Sequence, residues 1–226
     1  MTTVMSQPKA PGELAPDFAL PAVAGPETIS LSDYRGHSPL FLALLVGLWC
    51  PFCRRQIVQL GNFEGKLKAL GVESLVVVAT EPENARLYFK FRPTRLRLAS
   101  DPGLSTHRAY GVPKPEPTPV MMQAMEETYI NPTGELPEPL PIRQAALAIE
   151  ALDGYACTPT DQADTERQWP QLKGLFMIDR DGIKVRPRRR ARRRGSHLRT
   201  GTCRCRPAPR CRTRCRPSAR CRHDRS

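Results

Sequence analysis

LFLALLVGLWCPFC, residues 40–53, runs an apolar segment straight into two cysteines three positions apart. Leu40 to Leu48 is almost uniformly apolar, as a central strand of a parallel sheet is when both its faces are covered. From Cys53 onward Ile57, Leu60, Leu67 and Leu70 recur at helical spacing, with Arg54, Arg55 and Lys68 assigned to other faces. The pair Cys50 and Cys53 therefore falls at a strand-to-helix junction. That placement suits dithiol and disulfide chemistry. The first sulfur meets unpaired N–H groups and the positive end of the helix dipole, which favour a thiolate. The second lies one turn away, close enough to close a disulfide. Pro51 removes a donor at the helix start and stiffens the loop. Trp49 reads either as a shield on one side of the sulfur pair or as ordinary core.

Outward from this junction, strands and helices alternate. Thr28 to Leu31 is a short strand candidate, and Pro39 precedes the apolar run. Gly61 and Gly65 weaken the long helix by about 1 kcal/mol each, and Gly71 ends it. Glu73 to Thr80 reads as a second buried strand, Pro82 to Phe91 as a helix, Arg95 to Ser100 as a strand and Leu104 to Tyr110 as a short helix. Residues 112–171 interrupt the rhythm with ten prolines, all before Val120 or after Tyr129. Helical pieces are expected there around Val120 to Glu127 and Ile142 to Leu152. The insertion's default reading is a decorated loop; a cover over the site or a homodimer contact are the alternatives. Gly174 to Asp179 is the next strand, and Asp181-Gly182 signals a hairpin turn. The order argues for an α/β fold.

Composition splits the chain at about residue 184. Residues 184–226 hold 17 arginines, one lysine and one aspartate, whereas residues 1–183 hold 17 basic and 21 acidic side chains. The net charge of +13 thus belongs to one segment. Cys50, Cys53 and Cys157 lie in the first part; Cys203, Cys205, Cys211, Cys215 and Cys221 lie in the second. One cysteine pair and one extra thiol do not make a disulfide-stapled secreted module, and they fit a reducing compartment. Residues 1–13 show neither a basic nor an apolar signal region, and Leu40 to Trp49 is too short to span a bilayer. A cytoplasmic protein is expected, with residues 1–11 a disordered lead-in, residues 12–183 the domain, and residues 184–226 a disordered tail.

Four segments resemble one family. Gly12 to Leu20 is similar to the N-terminal signature of the redoxins, the group of alkyl hydroperoxide reductase and thiol-specific antioxidant proteins. Ile29 to Gly36 resembles its next block, Trp49 to Arg54 its active-site motif, and Lys173 to Gly182 its fourth-strand block. The resemblance implies a thioredoxin-like fold, a central mixed sheet flanked by helices, with the insertion before the fourth strand. It implies a thiol-dependent oxidoreductase acting on disulfides or peroxides, an antioxidant-type activity that needs an external thiol or dithiol reductant and no cofactor. By the same analogy Cys50 is the exposed nucleophile and Cys53 the resolving thiol. Family peroxidases carry Pro-x-x-x-Thr-x-x-Cys and a later arginine. Here Val46 stands for the proline, Cys50 for the threonine and Lys173 for the arginine, which turns a bidentate guanidinium into a point charge. Thioredoxin-like reductases place a cis-proline just before the fourth strand. That position falls on Lys173, with Pro170 three residues early.

The remaining candidates read as structural. No second C-x-x-C or suitable histidine pair accompanies Cys50 and Cys53, so no metal site is expected. His107 is a surface or packing residue, Cys157 a bystander thiol, and Met121, Met122 and Met125 are packing residues. The tail has almost no large apolar residues and cannot build a core. Its Arg, Pro, Ala and Cys content reads as a shifted reading frame in a GC-rich gene. The alternatives are a nucleic-acid-binding arm carried by a passive domain, and an inactive, truncated relic. The resemblance implies a returning strand and a closing helix here; a frameshift removes them, and predicts an unpaired sheet edge and a destabilised, aggregation-prone product.

Overall fold

A computed structural model of the chain describes residues 10–184. Most of the lead-in and nearly all of the Arg-rich tail, including the frameshift and nucleic-acid-arm readings, lie outside the described residues. The central sheet has four strands: β3 (Leu40–Leu45), β4 (Glu73–Val78), β5 (Arg97–Ser100) and β8 (Gly174–Ile178), in the order β5-β4-β3-β8. β3 runs parallel to β4, with Leu42 opposite Leu75, and β4 parallel to β5, with Val77 opposite Ala99. β8 is antiparallel to β3, with Phe176 opposite Leu42. A separate antiparallel pair, β1 (Ala19–Pro21) and β2 (Thr28–Ser30), precedes them.

The alternation of side chains along these strands builds two cores. Leu40, Leu42, Leu44, Leu75, Val77 and Ile178 face one way, packing on Phe18, Ile29, Leu31 and Tyr110. Ala43, Leu45, Val76, Val78 and Leu98 face the other, under α1 (Pro51–Ala69) and α2 (Pro82–Phe91) through Cys53, Ile57, Ala85 and Tyr88. Burying each such Leu, Ile or Val contributes about 1.5–3 kcal/mol, so β3, sealed on both faces, is the anchor from which the dithiol hangs. The strand is shorter than its apolar run: it ends at Leu45, and Val46 to Leu48 stay buried as the loop entering the site. α1 starts with Cys50 as its N-cap and Pro51 at its first position, where a missing N–H costs nothing. It ends at Gly71, whose φ of 69° is a conformation open to glycine.

The insertion is not a decorated loop. After α3 (Ser105–Ala109) it folds into α4 (Pro119–Glu127), a short β6–β7 hairpin (Tyr129–Ile130 and Leu140–Pro141), α5 (Ile142–Asp153) and α6 (Pro159–Gln168). Leu136, Ala145 and Ile149 form a small core of their own, and Phe52, between the two cysteines, packs against it. α6 had no apolar stripe to announce it. Its start is set by polar chemistry: Thr158 accepts from the Asp161 N–H at 3.2 Å, and Asp161 accepts from the Thr158 N–H at 2.9 Å.

Past β8 the chain turns at Gly182, and Ile183 and Lys184 return to form isolated bridges with Leu14 and Ile178. Among the described residues this is all that meets the outer edge of β8, and Leu175 on that strand is half exposed. Whether a returning strand covers this edge falls on residues 185–226, which lie outside the described residues.

Candidate active site

The dithiol stands where β3 hands over to α1. Cys50 is half-buried and Cys53 is buried, both as free thiols. The Cys50 carbonyl accepts from the Cys53 and Arg54 N–H groups at 3.0 and 3.1 Å, which closes the first helical turn. The two sulfurs titrate as a linked pair. A hydrogen bond from the Cys53 thiol holds Cys50 below the ordinary thiol range, against the effect of burial, and the Lys173 charge adds to it. Cys53 is pushed well above that range by the same hydrogen bond, by burial and by the neighbouring thiolate. One thiol is thereby primed and reachable while its partner stays protonated beneath it.

Lys173, at the entry to β8, lies close enough for its charge to favour both thiolates, and its Nζ donates to Gln56 Oε1 on α1 at 2.6 Å. Trp49 is partly buried against the core, and its Nε1 donates to Gln168 Oε1 at 2.9 Å. Pro51 is buried and lines, with Cys50, an apolar cavity of about 460 Å³. Met121 and Met125 line it too, as does Phe52. The methionines are therefore part of the wall around the dithiol rather than packing alone: α4 has no buried residue. The Trp169–Pro170 peptide bond is cis, and Pro170 lines the same cavity. The cis-proline assigned to the Lys173 position is thus Pro170, four residues ahead of β8.

Two positioning groups escaped the sequence reading. Gln168, fully buried at the end of α6, accepts from the Gly47 N–H at 2.7 Å as well as from Trp49, and its Nε2 donates to the Ala79 carbonyl. A Cβ at Gly47 would lie 2.6 Å from Trp49 Cδ1 and 2.9 Å from Gln168 Oε1, so only glycine fits this junction. Arg54, assigned to a face of α1 other than the apolar one, is fully buried. Its Nε donates to Asp153 at the end of α5, and its Nη1 donates to the Leu48 and Trp49 carbonyls at 2.7 and 3.2 Å. A lone charged residue on a helix defaults to an outward face; nothing in the local sequence shows that Asp153, 99 positions away, covers it. The insertion therefore grips the loop before Cys50 through two separate side chains.

Cys157 is exposed, and its thiol, which donates to Glu150 Oε1 at 3.4 Å, is pushed up to about 11 by partial burial and that carboxylate. It suits the bystander reading. His107 is wholly buried within α3 and lies among packing groups. No helix among the described residues is long and apolar enough to cross a membrane.

The chain is 33% identical over 128 residues to the thiol-disulfide oxidoreductase ResA of Halalkalibacterium halodurans, covering 56% of this chain and 70% of that protein. Its fold is like that of the reduced 2-Cys peroxiredoxin of Plasmodium vivax, at 16% identity and a TM-score of 0.50, over 79% of this chain and 71% of that one. Peroxidoxin BcpB of Mycobacterium tuberculosis aligns at 13% identity and a TM-score of 0.49, over 77% and 81%. The four-stranded thioredoxin-like sheet, the dithiol at its mouth and the match over residues 11–147 agree: the chain belongs to the AhpC/TSA family.

Proposed function

We propose that the protein is a thiol-disulfide oxidoreductase in which Cys50 and Cys53 carry two electrons to a substrate disulfide. The observation that carries this reading is the division of labour between the sulfurs: Cys50 half-buried with its thiol held low, Cys53 buried with its thiol held high. The Cys50 thiolate attacks one sulfur of the substrate, the substrate S–S bond breaks, and the departing thiolate takes a proton. Cys53 then loses its proton and attacks the Cys50 sulfur, releasing the second substrate thiol and leaving a Cys50–Cys53 disulfide. An external thiol or dithiol reduces that bond and restores the pair. Lys173 supports the thiolate, Pro51 and Trp49 shape the approach, and the apolar cavity beside Cys50 receives the groups flanking the substrate sulfur.

A disulfide is favoured over a peroxide as the substrate. The hydroxyl and guanidinium that a peroxidase aims at peroxide are replaced here by Cys50 and Lys173. A dithiol that must be kept reduced supports a cytoplasmic location. The test is a reductant-coupled assay offering a model disulfide and hydrogen peroxide in parallel. Turnover of the disulfide is expected, lost in Cys50→Ser, while Cys53→Ser accumulates a mixed disulfide on Cys50. Full disulfide turnover in Cys50→Ser would overturn the scheme, and peroxide turnover exceeding disulfide turnover would reassign the substrate.

A further inference from the structure

A second cleft, of about 470 Å³, lies between α1, α2 and the end of α5 and shares no lining residue with the cavity at Cys50. Arg54, Arg55, Arg92 and Arg95 line it, against a single carboxylate, Asp153. Asp153 is already engaged by Arg54, and Arg55 Nη1 reaches it only at 3.8 Å. Glu135, outside the lining, approaches Arg55 Nε at 3.5 Å. The Arg92 side chain makes no hydrogen bond or ion pair among the described residues; its Cζ lies 5.3 Å from the centre of the Tyr88 ring and 5.1 Å from that of Tyr155. Arg54 lies over the same Tyr155 ring at 4.5 Å, so two cations gather round one side chain. Arg95 is exposed and has no hydrogen bond or ion pair among the described residues.

The second observation is Arg54 itself. Its side chain is fully buried; Nε and Nη1 are satisfied, but among the described residues the buried Nη2 has no hydrogen-bond partner. A buried donor left unpaired costs about 1–3 kcal/mol, more when charged, and clustered guanidiniums repel one another. Both costs fall when a planar or tetrahedral oxyanion enters, because guanidiniums bind such groups in pairs of parallel hydrogen bonds. We propose that this cleft binds a small oxyanion carrying two or more negative charges, a phosphate ester or a polycarboxylate, between Arg92 and Arg95 at the mouth and Arg54 and Arg55 beneath. The site is independent of the dithiol chemistry, but Arg54 also holds the Leu48 and Trp49 carbonyls, so its occupant touches a residue that braces the loop before Cys50.

The test is calorimetric titration of the full chain carrying Cys50→Ser, which removes any dependence on turnover. Pyrophosphate is one probe and citrate the other, at ionic strength matched with sodium chloride. The same titration is run with Arg92→Ala/Arg95→Ala added. The basic tail is identical in both proteins, so its own binding cancels. A saturable site is expected, weakened about tenfold or more by the double change, as the loss of two charge-assisted contacts requires. Binding by pyrophosphate alone assigns phosphate chemistry, and binding by both probes assigns the broader polyanion class. Equal binding in the two proteins, or no saturable site, overturns the proposal. Should the double variant not fold, Arg95→Gln alone, on an exposed side chain, is expected to weaken binding several-fold and is judged by the same comparison.

Discussion

At the scale of single residues, the chemistry rests on an asymmetry between two like side chains. Because hydrogen bonding from Cys53 is the largest influence holding the Cys50 thiol low, the reactive thiolate accumulates at a pH below that of a free cysteine, about 8.5. Alkylation of Cys50, followed by mass spectrometry of its peptide, is expected to show its midpoint below that value. Cys53→Ala should move the midpoint upward, and an unmoved midpoint would remove Cys53 as the cause. Gln168 makes a second prediction. Replacing it with leucine leaves the Gly47 N–H and the Ala79 carbonyl buried without partners, a loss of roughly 2–4 kcal/mol measurable by urea unfolding of the reduced protein. The two cysteines could be read from the sequence because a thiol pair at a strand-to-helix junction has its reason within six residues. Gln168 and Arg54 could not. A glutamine at the end of a polar helix and an arginine after a cysteine take their meaning from Gly47 and Asp153, partners over 90 positions away that only the fold brings close.

At the scale of elements, what could be read tracked how local the cause was. β3 and β4 declare themselves as apolar runs because the sheet buries both their faces, and α1, α2 and α5 by their periodicity. β1, β6 and β7 are two or three residues long and give no pattern to detect, and α6 is held by its capping box and by Gln168 rather than by an apolar stripe. The junction of α1 with α5 is where the insertion matters most. Asp153 sits opposite the buried Arg54. Asp153→Ala strands that guanidinium without its counter-charge, a change that costs about 3–5 kcal/mol in comparable buried pairs. The thermal unfolding midpoint should fall accordingly, and disulfide turnover should fall with it because the Leu48–Trp49 loop loses its brace; a variant as stable as the parent would show that the pair is dispensable. α1 also carries a correctable weakness. Gly65 lies mid-helix with open space where a Cβ would be, so Gly65→Ala is expected to add about 1 kcal/mol of stability, read as a higher urea midpoint with unchanged turnover.

At the scale of the whole molecule, the helical face of the sheet and the insertion are knit to one dithiol, while among the described residues the outer side of β8 meets only a bridge at Ile178. The stability of such a body toward acid depends on groups the chemistry never uses. His107 is fully buried on α3, and both its ring nitrogens lack hydrogen-bond partners among the described residues. Burial brings its pKa down to about 4, the Asp101 charge opposing and Arg108 assisting. In the unfolded chain a histidine titrates near 6.5. Between these two values the unfolded state therefore binds a proton that the folded state refuses. Stability from this group is complete above about pH 6.5 and declines as the pH falls toward 4, a contribution on the order of 3 kcal/mol across the interval. Urea midpoints measured across that range should fall with a slope that His107→Leu flattens, whatever the variant's absolute stability. Parallel slopes in the two proteins would mean that acid enters the fold elsewhere. Asp164, whose carboxyl burial raises above the usual carboxylate range, cannot mimic the effect: a carboxylate held high gains its proton more readily when folded, so its contribution runs in the opposite direction as the pH falls.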